Sequence, residues 1–149
     1  MRIYLLEWAE YHLYAALSRA ACCQPAGPDP YATHQAALAA HLVQLRAWEV
    51  NCPTNFENGA ALVGAEIARI EGRVLDAECL YEQAILSART NGFIHNEAIA
   101  YESAARFYAS RGFEQIARTY LTSARDGYLR WGALGKVRQL DQILSALKR

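Results

Sequence analysis

The sequence of 149 residues has no excess of charge of either sign, since 15 basic residues balance 15 acidic ones. A balanced chain has no overall field to attract nucleic acid or an anionic membrane, so we expect neither as a partner. It also lacks an uncharged apolar run of about 18 residues, the length that a membrane-spanning helix needs. Glu7 and Glu10 interrupt the first apolar stretch early. We therefore expect no signal peptide and a cytoplasmic location.

Cysteine is scarce, and the four that occur form no CxxC pair and have no histidine at zinc-finger spacing. They are Cys22, Cys23, Cys52 and Cys79. A chain of this length buries roughly 70% of the surface that its unfolded form exposes, so its core needs neither disulfides nor structural metal. We expect buried free thiols in a reducing compartment. A redox pair at Cys22 and Cys23 is the alternative.

The sequence motifs of catalysis are missing. There is no Walker A run, no GxGxxG, GxSxG or HExxH motif, and no HRD or DFG triplet. His34 and His41 are seven residues apart and can share a helical face, but two imidazoles fall short of the four ligands of structural zinc. We predict that the chain is not an enzyme and that it has no catalytic, cofactor-binding or metal site.

Glycine provides the clearest regular feature that the sequence does contain. Four glycines recur at intervals of 20 residues: Gly72, Gly92, Gly112 and Gly132. A glycine just past a helical run can adopt the left-handed conformation that ends a helix. Phe93 and Phe113 follow two of these glycines, and an apolar residue there can fold back on the last helical turn. Each interval is therefore predicted to hold one helix and a short turn.

Apolar residues between the glycines recur at helical spacing. The predicted helices cover residues 3–21, 31–50, 55–71, 74–90, 94–111, 114–131 and 134–147. A loop is predicted at Gln24–Pro30, and Gly59, inside a helix, is predicted to mark a close helix crossing. The fold class is all-α, an α-solenoid of about seven antiparallel helices arranged as three hairpins and a C-terminal capping helix. We expect one domain over residues 1–149, cut from a longer polypeptide.

Two helices make one hairpin, so the true repeat is 40 residues long. At this offset, small or apolar residues align in pairs: Ala65 with Ala105, Gly72 with Gly112, Ala77 with Ala117, Tyr81 with Leu121, and Ala84 with Ala124. Small residues at fixed positions allow two helices to approach closely. Aromatic residues at helical spacing are predicted to lie mostly in the core: Tyr81, Phe107, Tyr108, Tyr120, Tyr128 and Trp131.

These aligned positions resemble the tetratricopeptide consensus, although the period of 40 exceeds the usual length of about 34. A narrower resemblance covers residues 50–140. It rests on runs such as Asn51–Phe56, Ala65–Ile70, Tyr81–Ile85, Ala104–Tyr108 and Trp131–Ala133. They resemble the helical segment of large bacterial and fungal signalling proteins. There, a Ser/Thr-kinase-like domain and an AAA-type ATPase precede the segment, and a GAF domain and a histidine kinase follow. Thr54 and the pair Asn58-Gly59 depart from that pattern.

The resemblance implies a non-catalytic scaffold that couples the ATPase and kinase half of a signalling protein to its sensor histidine kinase half. Its partners would be protein or peptide, chiefly neighbouring domains of the same parent chain. The alternative is a sensor module that binds a peptide or small molecule in a concave groove. In either case, polar residues on the first helix of a hairpin are candidates for contact with the partner. They are Asn55, Asn58, Glu66, Arg69, Asn96, Glu97, Tyr101, Glu102 and Arg106.

Overall fold

The computed structural model describes residues 2–22 and 28–147, with side chains over 7–22 and 33–147. Within these ranges all regular secondary structure is helical, as the sequence predicts, and seven helices follow one another. They are α1 (Arg2–Cys22), α2 (Pro28–Asn51), α3 (Pro53–Ile70), α4 (Val74–Thr90), α5 (Ile94–Ser110), α6 (Glu114–Trp131) and α7 (Leu134–Ala146). The predicted helix boundaries therefore hold to within a few residues.

The beginning of α2 corrects the predicted loop at Gln24–Pro30. The helix starts at Pro28, and Pro30 lies in its first turn. Proline is tolerated there because the first amide groups of a helix have no partner inside it and because the ring fixes a helical φ. Residues 23–27, which contain the rest of that loop, lie outside the described residues.

The glycine at each of the four predicted helix ends has a positive φ, between 75° at Gly72 and 88° at Gly132. At Gly112 the amide donates to the carbonyl of Ala109, and the next amide, of Phe113, donates to Tyr108 at 3.0 Å. This pair of bonds is the Schellman motif, and the same pair forms at the other three glycines. The Phe113 ring returns to Tyr108, with their centroids 6.5 Å apart. The predicted capping mechanism is therefore confirmed.

The chain divides into two compact units, residues 1–83 and 84–149. In the first unit, α1, α2 and α3 all contact one another. Their core includes Leu13, Leu38, Leu45 and Leu62. In the second unit, α5 packs on α6 and α6 packs on α7. One buried cluster joins these three helices: Ala98, Ala105, Leu121, Ala124, Tyr128, Val137 and Leu140.

The residues paired by the 40-residue offset are buried alike. Ala65, Ala77, Tyr81 and Ala84 are at most 1% exposed, and their counterparts Ala105, Ala117, Leu121 and Ala124 at most 6%. Equal burial at equal spacing indicates that both segments use the same packing positions. Among the aromatic residues predicted for the core, Tyr81, Phe107, Tyr108 and Tyr128 are buried.

Two expectations about burial are wrong. Trp131 is 52% exposed, because it is the last residue of α6 and has no further turn to cover it. The three cysteines that the structure describes are free, but Cys22 and Cys79 are exposed and Cys52 is only half-buried. Cys22 ends α1, and Cys79 lies on the outer side of α4, two residues from the buried Ala77 and Tyr81. Cys23 lies outside the described residues.

Two glycines inside helices differ in how closely a neighbour approaches. A Cβ added to Gly59 would lie 3.8 Å from the Leu13 side chain, an ordinary contact distance. A Cβ added to Gly127 of α6 would lie only 2.9 Å from the Cβ of Ala98 in α5. Gly59 therefore lies where α1 contacts α3 at an ordinary distance, not at the close crossing that was predicted. Among the described glycines the tightest approach is at Gly127, which was not predicted.

We predict opposite effects for alanine at these two glycines. Gly127→Ala should lower the free energy of unfolding by about 1–3 kcal/mol, because the added methyl group forces α5 and α6 apart. Gly59→Ala should be neutral or raise it by up to about 1 kcal/mol, because alanine fits and favours the helix. Urea unfolding followed by circular dichroism measures both. Equal destabilisation by the two substitutions would contradict the assigned crossing.

Candidate partner-binding surface

The candidate residues of α3 include a buried polar cluster that joins three helices. The Tyr81 hydroxyl of α4 donates to Oε1 of Glu66, and Nη2 of Arg69 donates to Oε2 of Glu66 at 2.8 Å. The same Nη2 also donates to the carbonyl of Ala20 near the end of α1, at 3.3 Å. Tyr81 is fully buried and Glu66 is 8% exposed. These two candidates on α3 therefore stabilise the contacts of α1, α3 and α4.

Burial makes the charges of this cluster depend on one another. Burial, followed by the charge of Glu66, raises the pKa of the Tyr81 hydroxyl, which therefore stays protonated and donates. Burial opposes the charge on Arg69, but the hydrogen bond and charge of Glu66 outweigh it and raise the pKa of the guanidinium. A buried carboxylate needs such partners, because an isolated charge in the interior is strongly unfavourable.

The two asparagine candidates of α3 lie in different surroundings. Asn58 is 2% exposed, and its amide donates to the carbonyl of Asn55 at 3.5 Å, the outer limit for such a bond. Asn55 itself is exposed in the first turn of the helix. Of the four candidates on α3, Asn55 is thus the residue with its side chain on the surface.

The carboxylates of α5 bind residues of neighbouring helices. Glu97 pairs with Arg89 of α4 at 3.1 Å and with Arg130 of α6 at 3.6 Å. The hydrogen bond to Glu97 is the largest of the effects that raise the pKa of Arg89. Glu97 therefore links α5 to the helix before it and to the helix after it.

Glu102 forms the second interhelical link of α5. It accepts a hydrogen bond of 2.6 Å from the Tyr128 hydroxyl of α6 and one of 2.8 Å from Lys136 Nζ of α7. The Lys136 ammonium also lies 5.4 Å from the centroid of the Tyr128 ring. A single carboxylate thus connects three consecutive helices of the second unit.

The remaining candidates of α5 range from half-buried to exposed. Tyr101 accepts a hydrogen bond from Arg89 and packs edge-on against Tyr120, with centroids 5.4 Å apart. Asn96 is half-buried, whereas Arg106 is exposed. Arg106 occupies the repeat position of Glu66, 40 residues earlier. At the corresponding position of the following helix, Leu121 replaces Tyr81, so the buried polar cluster has no counterpart in the second unit.

The first unit contains a cluster of aromatic rings and imidazoles that the sequence analysis did not identify. His12 of α1 and His41 of α2 meet with their Nδ1 atoms 2.8 Å apart. Trp48 lies 5.4 Å from the His12 ring, and Tyr11 lies 6.3 Å from the His41 ring. Trp48 also contacts Phe56 of α3 at 5.7 Å. The cluster therefore joins α1, α2 and α3.

A weak signal for this cluster is present in the sequence. Residues at alternating intervals of four and three line the inner side of α2: His34, Leu38, His41, Leu45 and Trp48. Leu38 and Leu45 are 1% exposed, and the other three are half-buried. The spacing along α2 pairs His41 with His34, but the imidazole that His41 contacts belongs to α1. Only the packing of α1 on α2 brings those two rings together.

Side chains that could bind a metal ion are not grouped into a site in the described part of the chain. There, no group of three or more histidine, cysteine, aspartate or glutamate side chains is placed to hold a metal ion. None of the described helices is long and apolar enough to cross a membrane.

Comparison of the chain with protein families, with curated proteins and with solved structures finds no match.

We predict that the buried cluster contributes more to stability than the link at Glu102. Tyr81→Phe should lower the free energy of unfolding by about 1–3 kcal/mol, since the buried Glu66 carboxylate loses a donor. Tyr128→Phe is the matched control and should cost less, about 0.5–1.5 kcal/mol, because Glu102 is only half-buried and water can replace the lost hydroxyl. Chemical denaturation of the two variants checks the order. A larger loss for Tyr128→Phe would contradict it.

Proposed function

We propose that the chain is a tetratricopeptide-like α-solenoid that binds protein and performs no chemistry of its own. The observation that carries this proposal is the 40-residue register of buried residues, from Ala65 with Ala105 to Ala84 with Ala124. In repeat proteins, each unit buries its apolar face against its neighbours and leaves an extended surface for ligands. Recurrent burial at fixed spacing supports that architecture.

The order of helix contacts also supports a repeat. In the first unit, α3 contacts both α1 and α2. In the second unit, α7 packs on α6 and reaches α5 through the bond between Lys136 and Glu102. Contacts between each helix and the two before it are expected when successive hairpins stack. Each unit therefore contains a local arrangement that fits a solenoid.

The proposed partners are the neighbouring domains of a longer signalling protein. The support is the sequence resemblance over residues 50–140, which places such a segment between an ATPase and kinase half and a sensor histidine kinase half. Coupling through this segment needs side chains that remain available at the surface. Of the nine candidates, Asn55 and Arg106 are exposed, so they are the first residues to test.

The test measures binding of the chain to the segments that flank it in its parent protein. Isothermal titration calorimetry with each flanking segment, without nucleotide, with ADP and with an ATP analogue, should detect binding in at least one state. Arg106→Glu should weaken it by about tenfold or more through reversal of charge. Arg138→Glu on the exposed part of α7 is the matched control and should leave it unchanged. Absence of binding in every nucleotide state would refute the scaffold proposal.

The second candidate function is a sensor that binds a peptide or small molecule. It is favoured by the rings around Tyr120 in the second unit, where Tyr101 and Tyr108 lie 5.4 and 5.5 Å away. Aromatic side chains with hydroxyl groups suit ligands that are partly apolar and partly polar. A thermal-shift screen with metabolites and peptides separates this function from the first. A reproducible shift that Tyr101→Ala abolishes would support it, and a flat response would count against it.

A further inference from the structure

The contact between His12 and His41 is a hydrogen bond between α1 and α2 that joins two imidazoles, the side chains whose ordinary pKa lies nearest neutral pH. At 2.8 Å, one Nδ1 must donate a proton and the other must offer a lone pair. The two rings meet at an interplanar angle of 71°, with centroids 5.0 Å apart. Trp48 packs against His12 and Tyr11 against both imidazoles, so the rings are held in this arrangement.

Protonation affects this bond in two unequal steps. The first added proton converts one ring to an imidazolium that can still donate to its neutral neighbour. The second removes the remaining lone pair and places two positive charges at hydrogen-bond distance. Because like charges repel in a half-buried site, the second proton disfavours the contact of α1 with α2.

The two charges that act on His41, those of His12 and Arg19, are both positive. On α1, the Tyr11 ring also packs against both imidazoles. On α2 and α3, the neighbouring rings of Trp48 and Phe56 do not titrate. Burial, then the charges of His12 and Arg19, lower the pKa of His41. All three effects resist double protonation of the folded pair.

We propose that His12 and His41 form a proton-sensitive latch, which holds α1 on α2 at neutral pH and releases it when both imidazoles are protonated. Release would uncover the side of α1 that carries Leu13, Ala16 and Ala20, all buried in the packed unit. The latch adds pH regulation to the first unit. It does not rest on the proposed function, because it concerns the packing of the chain itself.

The direction of the pH effect follows from proton linkage. An unfolded histidine titrates near pH 6.5, and His41 titrates lower in the folded chain. Between these two values the unfolded chain binds more protons, so stability decreases as the pH falls below about 6.5. The stability stops decreasing once the pH is below the pKa of His41 in the folded chain. A difference of one proton changes the folding equilibrium constant by at most about tenfold per pH unit.

A histidine titration of the whole chain by NMR tests the latch directly. Between pH 8 and pH 5, the ring protons of His41 should titrate below the ordinary histidine value, and the His12 ring, which shares the hydrogen bond, should report the same transition. Over the same range, the amide protons of residues 8–20 in α1 should lose protection against exchange. Independent titration of both rings near pH 6.5, or unchanged protection of α1 down to pH 5, would overturn the proposal.

Glutamine variants separate the latch from other effects of acid. His41→Gln and His12→Gln each retain a side chain that can donate and accept without titrating. His41→Gln should remove most of the pH dependence of α1 protection, and His12→Gln should reduce it, because burial and Arg19 still act on His41. His34→Gln, half-buried on the same helix, is the matched control and should keep it. A pH dependence that persists in His41→Gln and disappears in His34→Gln would overturn the assignment. If a variant fails to fold, the titration of the unmodified chain decides the question alone.

Discussion

The close approach of helices across small side chains is the constraint on which this structure depends. Alanines occupy the buried repeat positions, and at Gly127 even a methyl group would meet Ala98 at 2.9 Å. Where helices pack so closely, the small residue sets their separation, and larger side chains such as Tyr81 and Leu121 fill the space beside it. The Schellman turns also keep consecutive helices adjacent, because they connect them through only two or three residues.

Close packing leaves little room for water, so polar side chains between helices must find partners within the protein. The carboxylates of Glu66, Glu97 and Glu102 each bind groups from at least one other helix. The two segments that are paired at the 40-residue offset meet this requirement with different residues. In the first, Glu66 and Tyr81 form a buried pair, whereas Arg106 and Leu121 at the same positions in the second form none. The carboxylate and its tyrosine donor are thus both replaced in the second segment. This is consistent with the cost of leaving a buried carboxylate without its donor.

The features that the sequence predicts correctly depend on single residues or on spacing within one helix. The ends of α3, α4, α5 and α6 follow from glycines whose conformational freedom is a property of single residues, and the 3–4 spacing of apolar residues identifies the helices. The start of α2 was missed because two prolines read as a loop, although proline also fits a first helical turn. The cysteines were misplaced because an average tendency of cysteine to be buried says nothing about which side of α4 faces outward.

The candidate surface was harder to predict for a related reason. Helical spacing shows that residues share a face, but it does not show whether that face meets another helix or solvent. Glu66 and Asn58 share α3 with the exposed Asn55, yet both are buried. Likewise, nothing local connects His12 with His41, which lie 29 residues apart and meet only through the packing of α1 on α2.

The distribution of exposed side chains bears on how such a module would bind protein. Most charged candidates already form intramolecular bonds, and a partner would have to break those bonds to use them. The large apolar residues at the surface have no such bonds to lose. Trp8 and Tyr11 are about 60% exposed on the first unit, and Trp131 and Leu134 more than half exposed on the second. Since aromatic anchors contribute most of the binding energy in protein interfaces, these exposed aromatic residues would be better anchors for a partner than the charged candidates.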